Sequence, residues 1–560
     1  MKFRYLATLS LSVAGIIFLQ ARAGGTDRAL PSSASEITTT AKRVVARAVP
    51  ATTLNMYTMP RISPAAVTSS VPRQMPFRPL GRRKPTSLSN APAASPFPST
   101  PDMLASAGGF NGMANSPTIC PYFGGCQPPD MALATSPKFV LQGVNTSFAL
   151  YSTSGKLLAG PVNAQNFFGV PDPTPFGCDP AGPFLSDPRA FYDPNTGRFW
   201  VALLQVEDSP PIGVHCHFLS AYWIANLDPV SGTINIYRFD MALGTTNNAD
   251  YTQFGFDAHT VSFTGNMFNQ QGTAFVYAEA QFADKKAMEA GTPVTPVAFI
   301  GFSANGVLLD TVQPVETETP VASDPGVQYL VNSFNGNGDP FGDDCFNTAC
   351  HGFVVWAYHA TTRTISGTVA ESASYLVPPN ADEPGCTQCI ETIDARITGT
   401  PVYSIGADRP LISFGIGTAL FNGTQTVAGI LWGQIQPSLS GGSLTEASIY
   451  QEGHIVYAGD RAVSFPAVMQ DIDGNLFMVF DTMSHTLNPS IMVTKQLEGD
   501  PLGTLRTPVL LKQGLARTFD ARWGDFEATS YDGFSTNHVW VASQYSGSNH
   551  DWATFISQQP

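Results

Sequence analysis

The stretch Ala190-Phe191-Tyr192-Asp193-Pro194-Asn195-Thr196-Gly197-Arg198-Phe199-Trp200-Val201-Ala202-Leu203-Leu204 sets two apolar runs on either side of a five-residue turn. Asp and Asn close such a turn with their own side chains and Gly supplies the left-handed conformation, so the runs are predicted to pair as a β-hairpin. The device recurs. Residues 221–227 turn at Asp228-Pro229-Val230-Ser231-Gly232 into residues 233–239. Residues 418–421 turn at Asn422-Gly423, and residues 468–469 turn at Asp471-Ile472-Asp473-Gly474 into residues 476–480.

Working outward from these hairpins, similar openings occur near Asp130, Asp187, Phe254, Pro325, Leu411, Phe465 and Arg522. Four strands with their turns need about 40–50 residues, so the spacing suits the blades of an all-β propeller with inserted loops. Seven blades are predicted over residues 117–560, with six or eight as alternatives. A double sandwich is the competing architecture, but it does not call for seven similar units. Composition agrees: 50 Gly and 45 Pro among 560 residues interrupt the chain too often for long helices, and 13% charged side chains are too few for a disordered one.

Residues 1–23 carry Lys2 and Arg4, an apolar stretch over 6–19, and Ala21-Arg22-Ala23, the pattern of a secretory signal peptide. Its 14 or so apolar residues fall short of the roughly 20 of a spanning helix, and no transmembrane segment is expected elsewhere. A secreted or periplasmic location follows. Residues 24–116, rich in Pro, Ser, Ala and Thr, are predicted to be a disordered basic arm: a spacer, a propeptide or a surface anchor. Formal charge is +3 over residues 1–23, +8 over 24–100 and −25 over 101–560. So acidic a body repels phosphate backbones, which speaks against a nucleic-acid partner.

The eight cysteines fall as neighbours, Cys120/Cys126, Cys178/Cys216, Cys345/Cys350 and Cys386/Cys389, and in an exported chain are expected as four local disulfides. A redox role for Cys386-Thr387-Gln388-Cys389 and metal ligation by Cys345, Cys350 and His351 are the alternatives. His215 and His217 flank Cys216 and could face one side of a strand toward zinc or copper. Asn335, Asn337, Asp339 and Asp343 place oxygens at alternating positions, as a Ca²⁺ loop does, but without a closing bidentate Glu. No other cofactor is evident.

Asp187-Pro188-Arg189 and Arg522-Trp523-Gly524-Asp525-Phe526 both stand where a blade begins. With Trp540 and Trp552-Ala553-Thr554-Phe555 near the end, residues 130–558 resemble the secreted bacterial β-propellers of the sialidase-like superfamily. The resemblance implies a propeller. It would imply a sialidase only with three substrate-binding arginines, a tyrosine–glutamate nucleophile pair and an acid/base aspartate, and no such set transfers. The Phe-Arg-Ile-Pro run is missing, and 471–477 and 530–533 are degenerate Asp-boxes.

Asp187, Arg189, Asp257, Arg522 and Asp525 are therefore the candidate axial site, with Arg396 a further arginine that could converge there. Three arginines together would bind an anion; the plainer expectation is that each pairs with a neighbouring acid. The function expected is recognition of an extracellular glycan or protein ligand at the axial face. The alternative is a glycoside hydrolase or lyase using axial carboxylates.

Overall fold

The computed structural model describes residues 37–62, 91–98, 102–103, 108–120, 127–171, 184–206, 220–270, 272–336, 338–518 and 522–560. The hairpin turns close as their chemistry requires. Asp193 Oδ1 accepts from Asn195 N at 3.0 Å, its Oδ2 accepts from Thr196 Oγ1 at 2.7 Å, and Gly197 takes φ +71°. Asp228 does the same for Val230 and Ser231, with Gly232 at φ +76°.

Antiparallel runs of strands follow one another along the chain. The first is Ala132–Thr135, Phe139–Val144, Ser147–Ser152 and Leu157–Asn163. The second is Phe184–Asp193, Arg198–Val206, Ser220–Leu227 and Thr233–Asp240. Asn248–Phe256, Thr260–Phe268, Phe275–Asp284 and Val297–Ala304 make the third. Gln313–Pro314, Val327–Asn332, Cys350–His359 and Thr364–Tyr375 follow. Next comes Val402–Ser404 with Leu411–Phe421, Thr426–Ser440 and Ser443–Ile455. The short parallel strand Glu316–Glu318 joins this run to the third one in a single sheet. Ala462–Gln470, Leu476–Ser484, Leu487–Gln496 and Val509–Lys512 form a further sheet. Ala528–Tyr531, Val539–Ser546 and Trp552–Gln559 form the last, completed by Gly109–Ala114.

The fold is thus nearly all β, as the turns predict; the helices Ala164–Phe168 and Lys285–Glu289 span one turn or so each. Strands are apolar on both faces because neighbouring sheets cover both. Trp200, Phe254 and Phe263 belong to one apolar cluster between the second and third runs, and Leu133, Val140, Trp523 and Trp540 to another between the first and last. Each such side chain contributes about 1.5–3 kcal/mol by leaving water.

Three expectations need correction. Part of the supposed arm is ordered: Thr39–Val45 pairs with Val297–Ala304, and Thr52–Asn55 pairs with Thr233–Ile236. These threonine- and valine-rich pieces supply partners to outer strands that would otherwise be open edges, and Thr38–Pro560 is one compact unit. The fourth and fifth runs also open earlier than Pro325 and Leu411, which head their second strands. Their first strands, at Gln313–Pro314 and Val402–Ser404, are too short and polar to announce themselves. Finally, Cys345–Cys350 is a disulfide and Cys120 is disulfide-bonded, but Cys386 and Cys389 are free thiols on a two-stranded hairpin. Burial pushes the Cys389 thiol up to about 12, reinforced by Cys386 and Glu383, so it is a poor nucleophile at neutral pH. Residues 1–23, Cys126, Cys178, His215, Cys216 and His217 lie outside the described residues.

Gly109–Ala114 is more than an edge. Gln142 Oε1 accepts from Met113 N at 2.9 Å, Gln142 Nε2 donates to Thr554 Oγ1 at 2.7 Å, and Thr554 Oγ1 donates to the Met113 carbonyl at 2.6 Å. A chain starting at Pro117 is therefore expected to melt several degrees below one starting at Thr38. Thr554→Val, which strands two buried partners, is expected to cost about 1–3 kcal/mol in chemical denaturation. An unchanged midpoint in both would show that this junction is dispensable.

Candidate functional site

Among the described residues, a left-handed residue recurs within or ahead of the first strand of every run but the last. Asp130, Asp187, Tyr251, Thr311, Ile393 and Phe465 all have φ between 44° and 57°. For β-branched Thr311 and Ile393 this conformation is strained, at a cost of order 1–3 kcal/mol each. The pairing register breaks at three of these points, between Ser186 and Arg189, Asp250 and Gln253, and Ser464 and Ala467. A bulge with a left-handed residue re-aims the side chains at a strand head. An aspartate sits at or beside five of these positions: Asp130, Asp187, Asp250, Asp310 and Asp394.

The heads at Asp130, Asp187 and Tyr251 meet the Arg522–Phe526 motif. Arg522 Nη2 donates to Asp525 Oδ2 at 2.5 Å, and Asp525 N donates to Asp130 Oδ1 at 3.0 Å. Asn145 bridges onward: its Nδ2 donates to Asp130 Oδ2 at 2.7 Å, while its Oδ1 accepts from Asp187 N at 2.8 Å. Ser186 Oγ donates to Asp187 Oδ1 at 2.6 Å. The Arg189 guanidinium lies 3.4 Å from the centre of the Phe526 ring, and that of Arg396 lies 4.2 Å from the centre of the Tyr251 ring. Asp187, Arg189, Arg522 and Asp525 are thus brought together.

The arginines do not form an open anion cluster. Arg396 Nε and Nη2 clasp both oxygens of Asp394 at 2.7 and 2.5 Å, and Arg522 is held by Asp525. Arg189 reaches the Thr398 carbonyl at 3.4 and 3.5 Å, and among the described residues its Nε has no partner. It lines a cavity of about 10 Å³ with Glu316 and Glu527, room for about one water. The Arg522 side chain, 21% exposed, connects the buried group to solvent.

Asp257 does not belong to this group. It caps the turn at the other end of Asn248–Phe256, accepting from His259 N at 2.7 Å. Six residues, 251–256, separate it from Asp250, roughly 20 Å along the strand. Asn335 also leaves its expected place: its Nδ2 donates to Asp310 Oδ1 at 2.9 Å, which draws it from the proposed Ca²⁺ loop toward the strand heads. Asn337 lies outside the described residues. Asp339 and Asp343 face His351 instead. Sequence reasoning placed Asp130 at a blade opening without assigning it to the site, and missed Asp250, Asp310, Asp394 and Asn145; the recurring aspartate at the strand heads was the available signal.

Carboxyls outnumber guanidiniums here, and burial resolves the excess by favouring protons. Burial and then Asp525 push Asp187 up to about 6; burial and then Asp187 push Asp250 up to about 7; burial takes Asp310 to about 7. Asp130 is raised by burial, Asp525 and Asp187. Deeper in, burial lifts Asp481 to about 7 and Glu318 to about 8, and Glu316 and Glu527 rise for the same reason, each beside another acid.

A carboxyl whose folded pKa exceeds its unfolded value near 4 binds its proton more tightly when folded. Its stabilisation is complete below about pH 4 and is lost progressively as pH rises toward the folded value of 6 to 8. The melting temperature is therefore expected to be higher at pH 5 than at pH 8, with most of the fall between pH 5 and 7.5, as followed by scanning fluorimetry. A flat or rising profile would show that these acids are ionised in the folded protein.

No family model matches the chain, and no curated protein does. Among solved structures it is similar to an apocarotenoid oxygenase mutant of Synechocystis, at 13% identity over 68% of this chain and 71% of that one, with a TM-score of 0.36. It is also similar to an exo-β-1,3-galactanase from Clostridium thermocellum, at 10% identity over 75% and 86% of the two chains, TM-score 0.29. The WD40 domain of SCAP from fission yeast gives 10% identity over 77% and 82%, TM-score 0.29. Scores of this size transfer no activity to this chain.

Proposed function

We propose that this is an exported, seven-bladed propeller, closed where Gly109–Ala114 joins the last blade, that recognises an extracellular glycan at its axial mouth. The observation that carries the reading is the convergence of strained strand heads on one polar group that reaches solvent through Arg522. Strain repeated at equivalent positions is costly, and such sites are where function concentrates. Carboxyls that keep their protons donate hydrogen bonds, while Asp525 and Asp394, each bound to an arginine, accept them. That mixture of donors and acceptors suits sugar hydroxyls, whereas an anionic group would find Arg396 and Arg522 already matched by Asp394 and Asp525. A protein ligand presenting hydroxyl and amide groups would use the same mixture.

A glycoside hydrolase is the second reading, favoured by one feature: Asp187 is held up to about 6 beside Asp525. A carboxyl raised in this way can serve as a general acid.

The test is oligosaccharide-array binding, with a reducing-sugar assay on bound glycans, for the wild type, Arg522→Ala and Asp525→Asn. Binding is expected to weaken at least tenfold in Arg522→Ala, whose partly exposed side chain can be removed with little loss of packing. Product release abolished in Asp525→Asn would select the hydrolase. Unchanged binding by a folded Arg522→Ala protein would place recognition elsewhere.

A further inference from the structure

We propose that Asp339, Asp343 and His351 bind one divalent transition ion of the zinc class, at a site separate from the arginine–aspartate group of the strand heads. The site is built by the insertion between Val327–Asn332 and Cys350–His359. The Cys345–Cys350 disulfide ties the base of that insertion, with Cα atoms 4.9 Å apart, and sets His351 at the start of the strand. Asp339 N donates to the Asp343 carbonyl at 2.8 Å, closing a turn that brings the two carboxylates to one side.

Spacing distinguishes a metal site from an ion pair. His351 Nδ1 lies 3.4 Å from Asp339 Oδ2 and 3.5 Å from Asp343 Oδ2, and the three groups' ligand atoms all fall within 4.8 Å of one another. A charged N–H···O bond would draw the atoms to about 2.7–2.9 Å. Ligand bonds of about 2.0–2.2 Å around a tetrahedral ion leave neighbouring donor atoms about 3.3–3.6 Å apart, which matches the observed separations. The imidazole nitrogen is aimed between two carboxylates, at the distance an intervening ion would impose.

The surroundings hold these groups in place. Asp339 Oδ1 accepts from Phe341 N at 3.0 Å and Asp343 N at 2.9 Å, and its Oδ2, which faces the imidazole, also accepts from His351 N at 3.3 Å, so the carboxylate is fixed at both oxygens. The Phe341 ring stacks on His351, with centroids 4.5 Å apart and planes at 22°. Such outer contacts orient metal ligands. Asp339 is buried, whereas His351 and Asp343 have side chains 24% and 12% exposed, leaving a path for the ion and for a water as fourth ligand. One nitrogen and two carboxylate oxygens suit Zn²⁺ or Co²⁺ and are too few and too nitrogenous for Ca²⁺, which takes six to eight oxygens.

The experiment uses the full chain, stripped with chelator and titrated with Zn²⁺, Co²⁺ and Ca²⁺ by calorimetry, with the visible absorption of Co²⁺ as a second readout. One equivalent of Zn²⁺ is expected to bind, and Co²⁺ to give tetrahedral absorption bands. His351→Ala and Asp343→Asn should each weaken Zn²⁺ binding at least tenfold, while His215→Ala/His217→Ala should leave it unchanged. Both site variants alter partly exposed side chains, and near-wild-type melting of the stripped proteins checks that they fold. No uptake by the wild type, retention of binding in both site variants, or its loss only in the His215/His217 variant would each overturn the assignment.

Discussion

The structure depends on one junction, where the first and last runs of strands are joined by buried hydrogen bonds. Gln142 reaches Thr554 across 412 positions of sequence, and Thr135 N and Oγ1 reach Ser530 Oγ across 395, at 2.9 and 3.0 Å. Hairpins elsewhere assemble from neighbours in sequence and could form in many relative arrangements. Buried polar groups that only each other can satisfy select one arrangement, because leaving any of them unpaired costs about 1–3 kcal/mol. The junction fixes Asp130 and Asp525 side by side, so the candidate site is itself a product of this pairing.

Burying so many acids next to three arginines has a consequence for charge. Arg396 and Arg522 are each matched by an aspartate, and Arg189 rests on an aromatic face. The remaining carboxyls can be buried without a cation only by keeping their protons. Protonation makes them hydrogen-bond donors, so the same burial that removes their charge gives the interior a mixture of polar donors and acceptors.

The hairpins were legible because Asp, Asn and Gly write their turn chemistry directly into the sequence, and the meeting of Arg189 with Arg522–Phe526 was legible because charged residues flanked apolar ones at two strand heads. Asp257 misled because an aspartate capping a turn and one heading a strand look the same without the strand between them. The remaining aspartates were hidden by their left-handed neighbours: Tyr251, Thr311 and Ile393 are residues that sequence reasoning does not place at positive φ. Thr39–Val45 and Thr52–Asn55 have strand composition, but as edge strands they alternate weakly, and the surrounding Pro and Ser dominate any window that includes them.

The strained heads persist because each is fixed from several sides. Asn145 shows how. Its amide nitrogen is shared between the Pro128 carbonyl at 2.6 Å and Asp130 Oδ2, and its oxygen receives the backbone N–H of Asp187. One side chain therefore holds two consecutive strand heads in their left-handed conformations, each of which would relax if released. Asn266, in the third run, restrains the head of the fourth, accepting from Thr311 N at 2.7 Å and donating to Thr311 Oγ1 at 3.0 Å. Asn145 and Asn266 each hold the head of the run that follows their own, so the conformation of that head depends on the packing of its neighbour. Strain imposed in this way makes the polar group a property of the assembled sheets, which no isolated hairpin could reproduce.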